Sequence, residues 1–174
     1  TTGIAASGFV SPGDRNNSSV ESWDGTNWTE VAEMNTARQT SAGLGASYTL
    51  GLIATGGQPS TATKTETWDG SSWTEVADVN TARDRAAGAG VTTSGIIIGG
   101  ESPLKANTEF WDGTSWTELA DLSTAMSASK AGGTSVAAIN FGGYSTAYTT
   151  ATEEWTAPAT FNQITEGQLF FNST

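Results

Sequence analysis

The stretch Trp68-Asp69-Gly70-Ser71-Ser72-Trp73-Thr74-Glu75-Val76 decides the fold, because the chain contains it three times with only conservative changes. It recurs as Trp23-Asp24-Gly25-Thr26-Asn27-Trp28-Thr29-Glu30-Val31 and as Trp111-Asp112-Gly113-Thr114-Ser115-Trp116-Thr117-Glu118-Leu119. A shorter fourth copy is Glu154-Trp155-Thr156, so the first Trp of each copy lies at 23, 68, 111 and 155, at intervals of 45, 43 and 44 residues. A repeat of this length indicates one array of similar structural units.

The composition predicts a single folded β domain over residues 1–174. Gly is frequent, at 21 residues, and only 14% of the residues are charged, but seven Trp and several short apolar runs supply the area that a core needs. The repeat divides this domain into units of approximately 1–34, 35–79, 80–122 and 123–174.

The charge balance and the missing residue types argue against several classes of function. Eighteen acidic residues against seven basic ones give a net charge of −11, which opposes binding to nucleic acid and to anionic membranes. No apolar run approaches the ~20 residues that a membrane helix needs, so we expect no membrane insertion. The chain has no Cys and no His, and His is the commonest general base and transition-metal ligand. We therefore expect no enzyme activity, no cofactor and no metal.

Each repeat contains four strand patterns, named here a to d. Strand a consists of tiny residues, strand b is apolar and ends at Gly-Gly, strand c leads to the first Trp, and strand d starts at the second Trp. An Asp-Gly turn joins c to d. A connector, Met34-Asn35-Thr36-Ala37-Arg38, repeated at 79–83 and 122–126, joins d to the next a. Four-stranded units at this period predict a β-propeller of about four blades.

The first blade is predicted to lack strand a, because the chain begins at a strand b pattern in residues 3–10. The apolar residues 167–172 at the far end could complete it. We therefore expect the ring to close by pairing of the N- and C-terminal strands, or by oligomerisation.

The order of these elements resembles the kelch repeat over roughly residues 1–158. The resemblance rests on a connector that ends in Arg or Met, an apolar strand that ends in Gly-Gly, an aromatic-Asp turn and a following Trp. It implies a kelch-like β-propeller, although this chain carries Trp where kelch units usually carry Tyr and has material for four blades rather than six or seven. Kelch-type enzymes that oxidise sugars depend on a copper site with His, Tyr and a modified Cys, and this chain has neither His nor Cys.

The last residues carry a second resemblance. The segment 166–174 is similar to short segments of phage-encoded virion and tail proteins. Residue 1 is Thr rather than Met, so we expect a chain that is processed or cut from something longer. These features and the Thr/Gly/Ala-rich composition favour a virion or extracellular location.

Propeller connectivity predicts that the b–c loops and the d–a connectors share one face, which then receives six of the seven basic residues. We expect this face to bind a partner through Arg and Tyr anchors. The candidate residues are Arg15, Arg38, Lys64, Arg83, Arg85, Lys105, Tyr144 and Tyr148. An alternative for Arg38 and Arg83 is that they tie connectors to neighbouring blades and pair with Glu33, Asp78 or Asp84. The other cations break the repeat and are the better candidates for contact with a partner.

The repeated Trp and Asp residues are predicted to be structural. They are Trp23, Trp28, Trp68, Trp73, Trp111, Trp116, Trp155, Asp24, Asp69 and Asp112. We expect the Trp residues to fill the space between blades rather than to bind sugars. We expect the Asp residues to hold turns rather than to ring a calcium ion.

These observations together predict a non-enzymatic structural or binding module of a larger extracellular or viral assembly, such as a phage tail or capsid appendage. Its partners would be proteins or assembly subunits, including further copies of the chain, that meet its loops. One alternative is a cellular kelch-type domain that binds an acidic peptide. Another is a glycan-binding module.

Overall fold

The computed structural model describes residues 2–8, 16–57, 62–101 and 103–157. Within these ranges the chain forms fourteen β-strands in four antiparallel sheets and no helix, so none of these residues belongs to a helix that could cross a membrane. The all-β prediction is confirmed. The four sheets form a β-propeller-like arrangement, and the described strands do not join into a closed sheet.

The sheets follow one another along the chain. Sheet 1 contains β1 (Gly3–Ala6), β2 (Val20–Trp23) and β3 (Trp28–Glu30); sheet 2 contains β4 (Ala42–Ser47), β5 (Leu50–Ala54), β6 (Thr65–Trp68) and β7 (Trp73–Glu75); sheet 3 contains β8 (Ala87–Val91), β9 (Ser94–Ile98), β10 (Thr108–Trp111) and β11 (Trp116–Glu118); sheet 4 contains β12 (Lys130–Thr134), β13 (Ala137–Phe141) and β14 (Thr152–Thr156). Sheets 2 and 3 are therefore the four-stranded units that the repeat predicts.

The two end sheets are incomplete in the described residues. Among the residues that the structure describes, sheet 1 has no strand a, and β1 pairs only with β2. Over the same described ranges, sheet 4 has strands a, b and c but no strand d. The segment 167–172, which was predicted to complete the first unit, lies outside the described residues.

The repeated motif forms a hairpin with a four-residue loop. Trp68 and Trp73 pair across the two outer strands of sheet 2. Between them, Asp69 accepts hydrogen bonds from the amides of Ser71 and Ser72, both at 2.8 Å, and Gly70 adopts a φ of 96°. A left-handed φ is easy only for Gly, which explains why Asp-Gly recurs.

Tiny residues lie where the inner strands approach one another. Strands β4, β8 and β12 pack side by side, one from each of sheets 2 to 4. A Cβ added at Gly88 of β8 would lie 2.9 Å from the carbonyl oxygen of Gly43 in β4. The small side chains of strand a therefore allow these neighbouring strands to approach closely.

Trp side chains fill the interfaces between sheets. Sheets 1 and 2 enclose Val20, Met34, Ile53, Trp68 and Trp73; sheets 2 and 3 enclose Leu52, Ala54, Ile97, Trp111 and Trp116; sheets 3 and 4 enclose Ile96, Ile98 and Ala138, with Trp155 packed against them. In each interface the Trp residues come from the later sheet. Burial of one such side chain contributes roughly 1.5–3 kcal/mol.

Candidate functional site

The b–c loops and the d–a connectors lie at the same end of the sheets, as propeller connectivity requires. The last residue of each connector donates its amide to a loop carbonyl: Arg38 to Asn17, Arg83 to Ala62 and Met126 to Lys105, at 3.0–3.1 Å. These repeated bonds define the loop face, and all the described candidate residues lie on it or directly below it. The hairpin loops and the a–b turns lie at the opposite end, where Gly70 approaches Thr49.

Arg38 lies below this face and not on it. Its guanidinium is fully buried and forms an ion pair with Glu66 of sheet 2. Its Nη1 also donates to the carbonyl of Lys64 at 2.7 Å. Burial lowers the pKa of Arg38, and the Glu66 carboxylate opposes that shift; an arginine stays protonated in either case.

The connector donates further hydrogen bonds to the same carboxylate. The backbone amide and the Nδ2 of Asn35 donate to Glu66 Oε2 at 2.8 and 3.0 Å, and the amide of Thr36 donates to Oε1 at 3.1 Å. Asn35 also reaches the carbonyl of Trp73. The Asn-Thr-Ala-Arg connector is therefore bound to the following sheet through the Glu66 carboxylate. We call this set of contacts, from Asn35, Thr36 and Arg38 to Glu66, the clasp.

Sheets 2 and 3 repeat this clasp. Arg83 pairs with the fully buried Glu109, and its Nη1 donates to Asn107. Asn80 donates its amide and side chain to Glu109 Oε2 at 2.8 and 2.9 Å. Burial lowers the pKa of Arg83 as well, against the opposing charge of Glu109.

These contacts revise two sequence predictions. Arg38 and Arg83 do tie connectors to neighbouring sheets, but their carboxylate partners are Glu66 and Glu109 rather than Glu33, Asp78 or Asp84. Because both guanidinium groups are fully buried, the assignment of these two residues to an exposed binding surface is wrong.

Lys64 and Lys105 differ in how they lie on the loop face. Lys64 is two-thirds buried and binds Glu75 at 2.6 Å and Asp78 at 3.5 Å. The hydrogen bond to Glu75 raises the pKa of Lys64. Lys105 is partly buried, and its backbone is fixed by Met126 and Gly100. Arg15 lies outside the described residues.

Arg85 and the two tyrosines come together between sheets 3 and 4. Arg85 Nη1 lies 2.6 Å from Glu101 Oε1, and the hydroxyl of Ser127 donates to Glu101 Oε2 at 2.9 Å. Ser127 and Tyr144 exchange two backbone hydrogen bonds of 2.9 Å. We call Arg85, Glu101, Ser127, Tyr144 and Tyr148 the loop cluster.

The aromatic part of the loop cluster faces solvent. The rings of Tyr144 and Tyr148 meet edge to face with centroids 5.5 Å apart. Tyr144 is 42% exposed and Tyr148 is 90% exposed. An exposed aromatic pair on a hydrogen-bonded scaffold is a typical protein-binding anchor.

A backbone ladder fixes Arg85. Thr40, Arg85 and Ala128 occupy matching positions after the three connectors, and all three have φ values between 52° and 55°. The amide of Arg85 donates to Thr40, and the amide of Ala128 donates to Arg85. Non-Gly residues in this region are uncommon and mark positions that the surrounding structure determines.

Sequence reasoning missed the carboxylates that organise both networks. Glu66 and Glu109 belong to a Glu-x-Trp pattern that all four units contain, at Glu21, Glu66, Glu109 and Glu153. Glu101 follows a Gly-Gly pair and occupies the position that Tyr144 occupies in the next unit. The Glu-x-Trp carboxylates are a single residue repeated at a fixed offset from a stronger motif, whereas Glu101 is not repeated at its position.

The repeated Trp and Asp residues serve the fold. Trp68, Trp73, Trp111 and Trp116 are buried, and Trp23 and Trp155 are partly buried. Trp28 is the exception, with 52% of its surface exposed. Asp24 and Asp112 repeat the loop contacts of Asp69. The repeated glutamates after the second Trp also have partners. Lys64 donates a hydrogen bond to Glu75, and Asn107 donates one to Glu118.

The fold and the loop face define the chain as a β-propeller-like protein with a hydrogen-bonded cluster on its loop face. Comparison with known proteins agrees at the level of the fold. A solved structure described as "Structure of YjhT" matches with a TM-score of 0.70 and 13% sequence identity, over 83% of this chain and 51% of that one. The chain thus spans about half the length of that protein. No protein-family model and no curated protein sequence matches the chain.

Proposed function

We propose that the chain is a non-enzymatic structural and binding module of a larger extracellular or viral assembly, such as a phage tail or capsid appendage. Its architecture is a kelch-like β-propeller of about four blades, closed by the terminal strands or by oligomerisation. The loop cluster presents its tyrosines to a protein partner or receptor. The exposed Tyr148 ring, packed on Tyr144, is the observation that carries this proposal.

The hydrogen bonds beneath the tyrosines support a binding role because they order the loop before a partner binds. The loop then loses less conformational entropy on binding. Tyr144 is joined by its backbone to Ser127, whose hydroxyl is held by Glu101. A rigid aromatic anchor loses little conformational freedom on binding. Loops that vary on a repeated scaffold are the usual place for such anchors.

The ion pairs favour this role over the recognition of an acidic peptide. Arg38, Lys64, Arg83 and Arg85 each bind a carboxylate of this chain. An acidic peptide would have to displace these carboxylates or approach beside them. A glycan-binding role would depend on exposed aromatic rings such as Tyr148. A glycan array probed with the wild-type chain and with Tyr148→Ala tests this alternative directly.

The proposal is tested on assembled particles from the native source. Three variants are compared, Tyr148→Ala and Arg85→Ala in the loop cluster and Tyr48→Ala as the control. Tyr48 is also an exposed tyrosine but lies in the a–b turn at the opposite end. Incorporation is measured by mass spectrometry of purified particles, and attachment by adsorption to target cells.

We expect all three variants to enter the particle equally. Tyr148→Ala should lower adsorption by about 10-fold or more, as the loss of an aromatic anchor does, while Tyr48→Ala leaves it unchanged. Absence of the chain from particles would refute the assembly role. Unchanged adsorption of Tyr148→Ala would refute the loop cluster as the contact.

A further inference from the structure

The connector between sheets 3 and 4 ends in Met instead of Arg. Arg38 and Arg83 end the first two connectors and pair with the fully buried Glu66 and Glu109. Met126 stands at the same position in the third connector and is itself buried, with 1% of its surface exposed. A thioether has no charge and is a weak hydrogen-bond acceptor. The ion pair of the two earlier clasps is therefore replaced by an uncharged contact between sheets 3 and 4.

The amide donor of the clasp also differs in the third connector. Asn35 and Asn80 each donate a backbone amide and a side-chain Nδ2 to the carboxylate of the next sheet. Ser123 stands at their position and donates its backbone amide to Glu153 at 2.8 Å. Glu153 is partly exposed. Water therefore solvates this carboxylate, which lowers the gain from binding the connector.

A polar residue replaces a core residue in sheet 4. The cross-strand neighbour of the clasp carboxylate is Ile53 in sheet 2 and Ile97 in sheet 3, and both pack in the core against the preceding sheet. In sheet 4 this neighbour is Asn140, which is 2% exposed. Its Nδ2 donates to Sδ of Met126 at 3.1 Å, and its Oδ1 has no hydrogen-bond partner among the residues that the structure describes. An unpaired buried oxygen costs free energy, so this substitution weakens the contact with sheet 3.

The third connector is bonded firmly to sheet 3. The amides of Leu122 and Met126 donate to the carbonyls of Ala106 and Lys105, both at 3.0 Å, and the amide of Gly100 donates to Met126 at 2.8 Å. The inner strands β8 and β12 also pack side by side. The weakened contacts therefore lie between the connector and the strands β13 and β14.

We propose that the contact between sheets 3 and 4 is a hinged joint, at which sheet 4 swings away from the third connector as a unit while the clasps keep sheets 1 to 3 together. The swing breaks the hydrogen bonds from Ser123 to Glu153 and from Asn140 to Met126. The packing of β8 on β12 is kept. This inference does not depend on what the loop cluster binds.

Residues 127–129, between the connector and β12, are the hinge of this joint. Ser127 is bonded to both sheets, because its hydroxyl donates to Glu101 of sheet 3 and its backbone exchanges two hydrogen bonds with Tyr144 of sheet 4. A few residues at the end of an element commonly absorb such a motion. Tyr148 belongs to the same loop as Tyr144, so the swing changes its distance from Arg85.

Native-state hydrogen exchange measured by mass spectrometry tests the joint, because exchange rates report the free energy of local opening. Strands β9 (Ser94–Ile98) and β13 (Ala137–Phe141) form a matched pair, since each is paired on both sides. We expect the amides of β13 to exchange at least about 10-fold faster than those of β9. Equal protection of the two strands would overturn the proposal.

Two substitutions restore the residues of the earlier sheets. Met126→Arg supplies a guanidinium for Glu153, and Asn140→Ile supplies the core residue that sheet 3 has at position 97. Each should slow the exchange of β13 by about 10-fold and leave that of β9 unchanged. The double variant Met126→Arg/Glu153→Gln is the matched control, because the guanidinium then has no carboxylate to bind and the slowing should disappear.

Circular dichroism checks that every variant is folded. If Met126→Arg does not fold, Asn140→Ile alone decides the test. A β13 exchange rate that neither substitution lowers would overturn the proposal. Slowing by Met126→Arg that persists in the double variant would also overturn it, because the guanidinium would then act without the clasp carboxylate.

Discussion

Arg38 and Glu66 form a fully buried ion pair that joins the connector after sheet 1 to strand β6 of sheet 2. The pair also orders the connector, because Asn35 and Thr36 donate to the same carboxylate. Arg83 and Glu109 repeat the arrangement one sheet later. The repeat therefore encodes a polar clasp between sheets in addition to the Trp-lined core.

We expect Arg38→Met to destabilise the protein by about 3–5 kcal/mol, because it leaves the Glu66 carboxylate buried without its countercharge. Urea unfolding followed by Trp fluorescence measures the change. Glu21→Gln is the control: Glu21 occupies the same repeat position but is exposed, so its change should stay within about 0.5 kcal/mol. Equal effects of the two substitutions would contradict the clasp.

Gly88→Ala should destabilise by about 1–3 kcal/mol, because its Cβ would press on the carbonyl of Gly43 at 2.9 Å. Gly43→Ala is the matched substitution on the neighbouring inner strand. A Cβ there meets nothing within 4 Å, so we expect a much smaller effect. Thermal unfolding of both variants tests the close approach of β4 and β8; a larger loss for Gly43→Ala would argue against it.

Asp69 links loop geometry to acid stability. Hydrogen bonds from the amide of Ser72 and from the hydroxyl and amide of Ser71 lower the pKa of Asp69 from 3.8 to about 2. A lowered pKa in the folded state stabilises the fold above pH 3.8, and this contribution is lost as the pH falls toward 2.

We therefore expect Asp69→Ala to lower the melting temperature at pH 6 and to narrow its difference from the wild type as the pH falls from 4 to 2. Calorimetry across that range gives the comparison. Glu154→Ala, which removes an exposed carboxylate on β14, controls for net charge. A difference that does not change with pH would show that the loop hydrogen bonds do not depend on the ionised carboxylate.

Trp28 should dominate the emission that an external quencher reaches. It is 52% exposed, while Trp68, Trp73, Trp111 and Trp116 are all below 10%. We expect Trp28→Phe to remove the largest share of the emission quenched readily by iodide, and Trp73→Phe to leave that share intact. Partly buried Trp23 and Trp155 should supply the remainder. A quenched fraction unaffected by Trp28→Phe would mean that another group covers sheet 1.

The elements that sequence predicted well are those that local chemistry determines. The Asp-Gly loop and the Gly-Gly strand ends follow from backbone conformations that few residues adopt. The tiny inner strands and the Trp-lined interfaces follow from the size of the side chains. Each signal lies within a few residues, and the repeat states it several times.

Other features could not be read from sequence because they depend on distant residues or on position in the array. Arg38 and Glu66 are 28 residues apart and meet only through the packing of two sheets. Trp28 and Trp73 occupy the same position in two similar copies of the motif, yet Trp28 is exposed because no unit covers sheet 1 in the described residues. The Arg85–Glu101 pair breaks the repeat, so periodicity gave no indication of it.

The most direct test of the proposed assembly role is sedimentation of an extract from the native source, with the chain detected by mass spectrometry. The tryptic peptide from Thr65 to Arg83 contains the whole repeated motif of sheet 2 and identifies the chain. We predict that this peptide sediments with large particles and remains with them after washing in high salt. Recovery only in the slowly sedimenting fraction of free proteins would contradict the account.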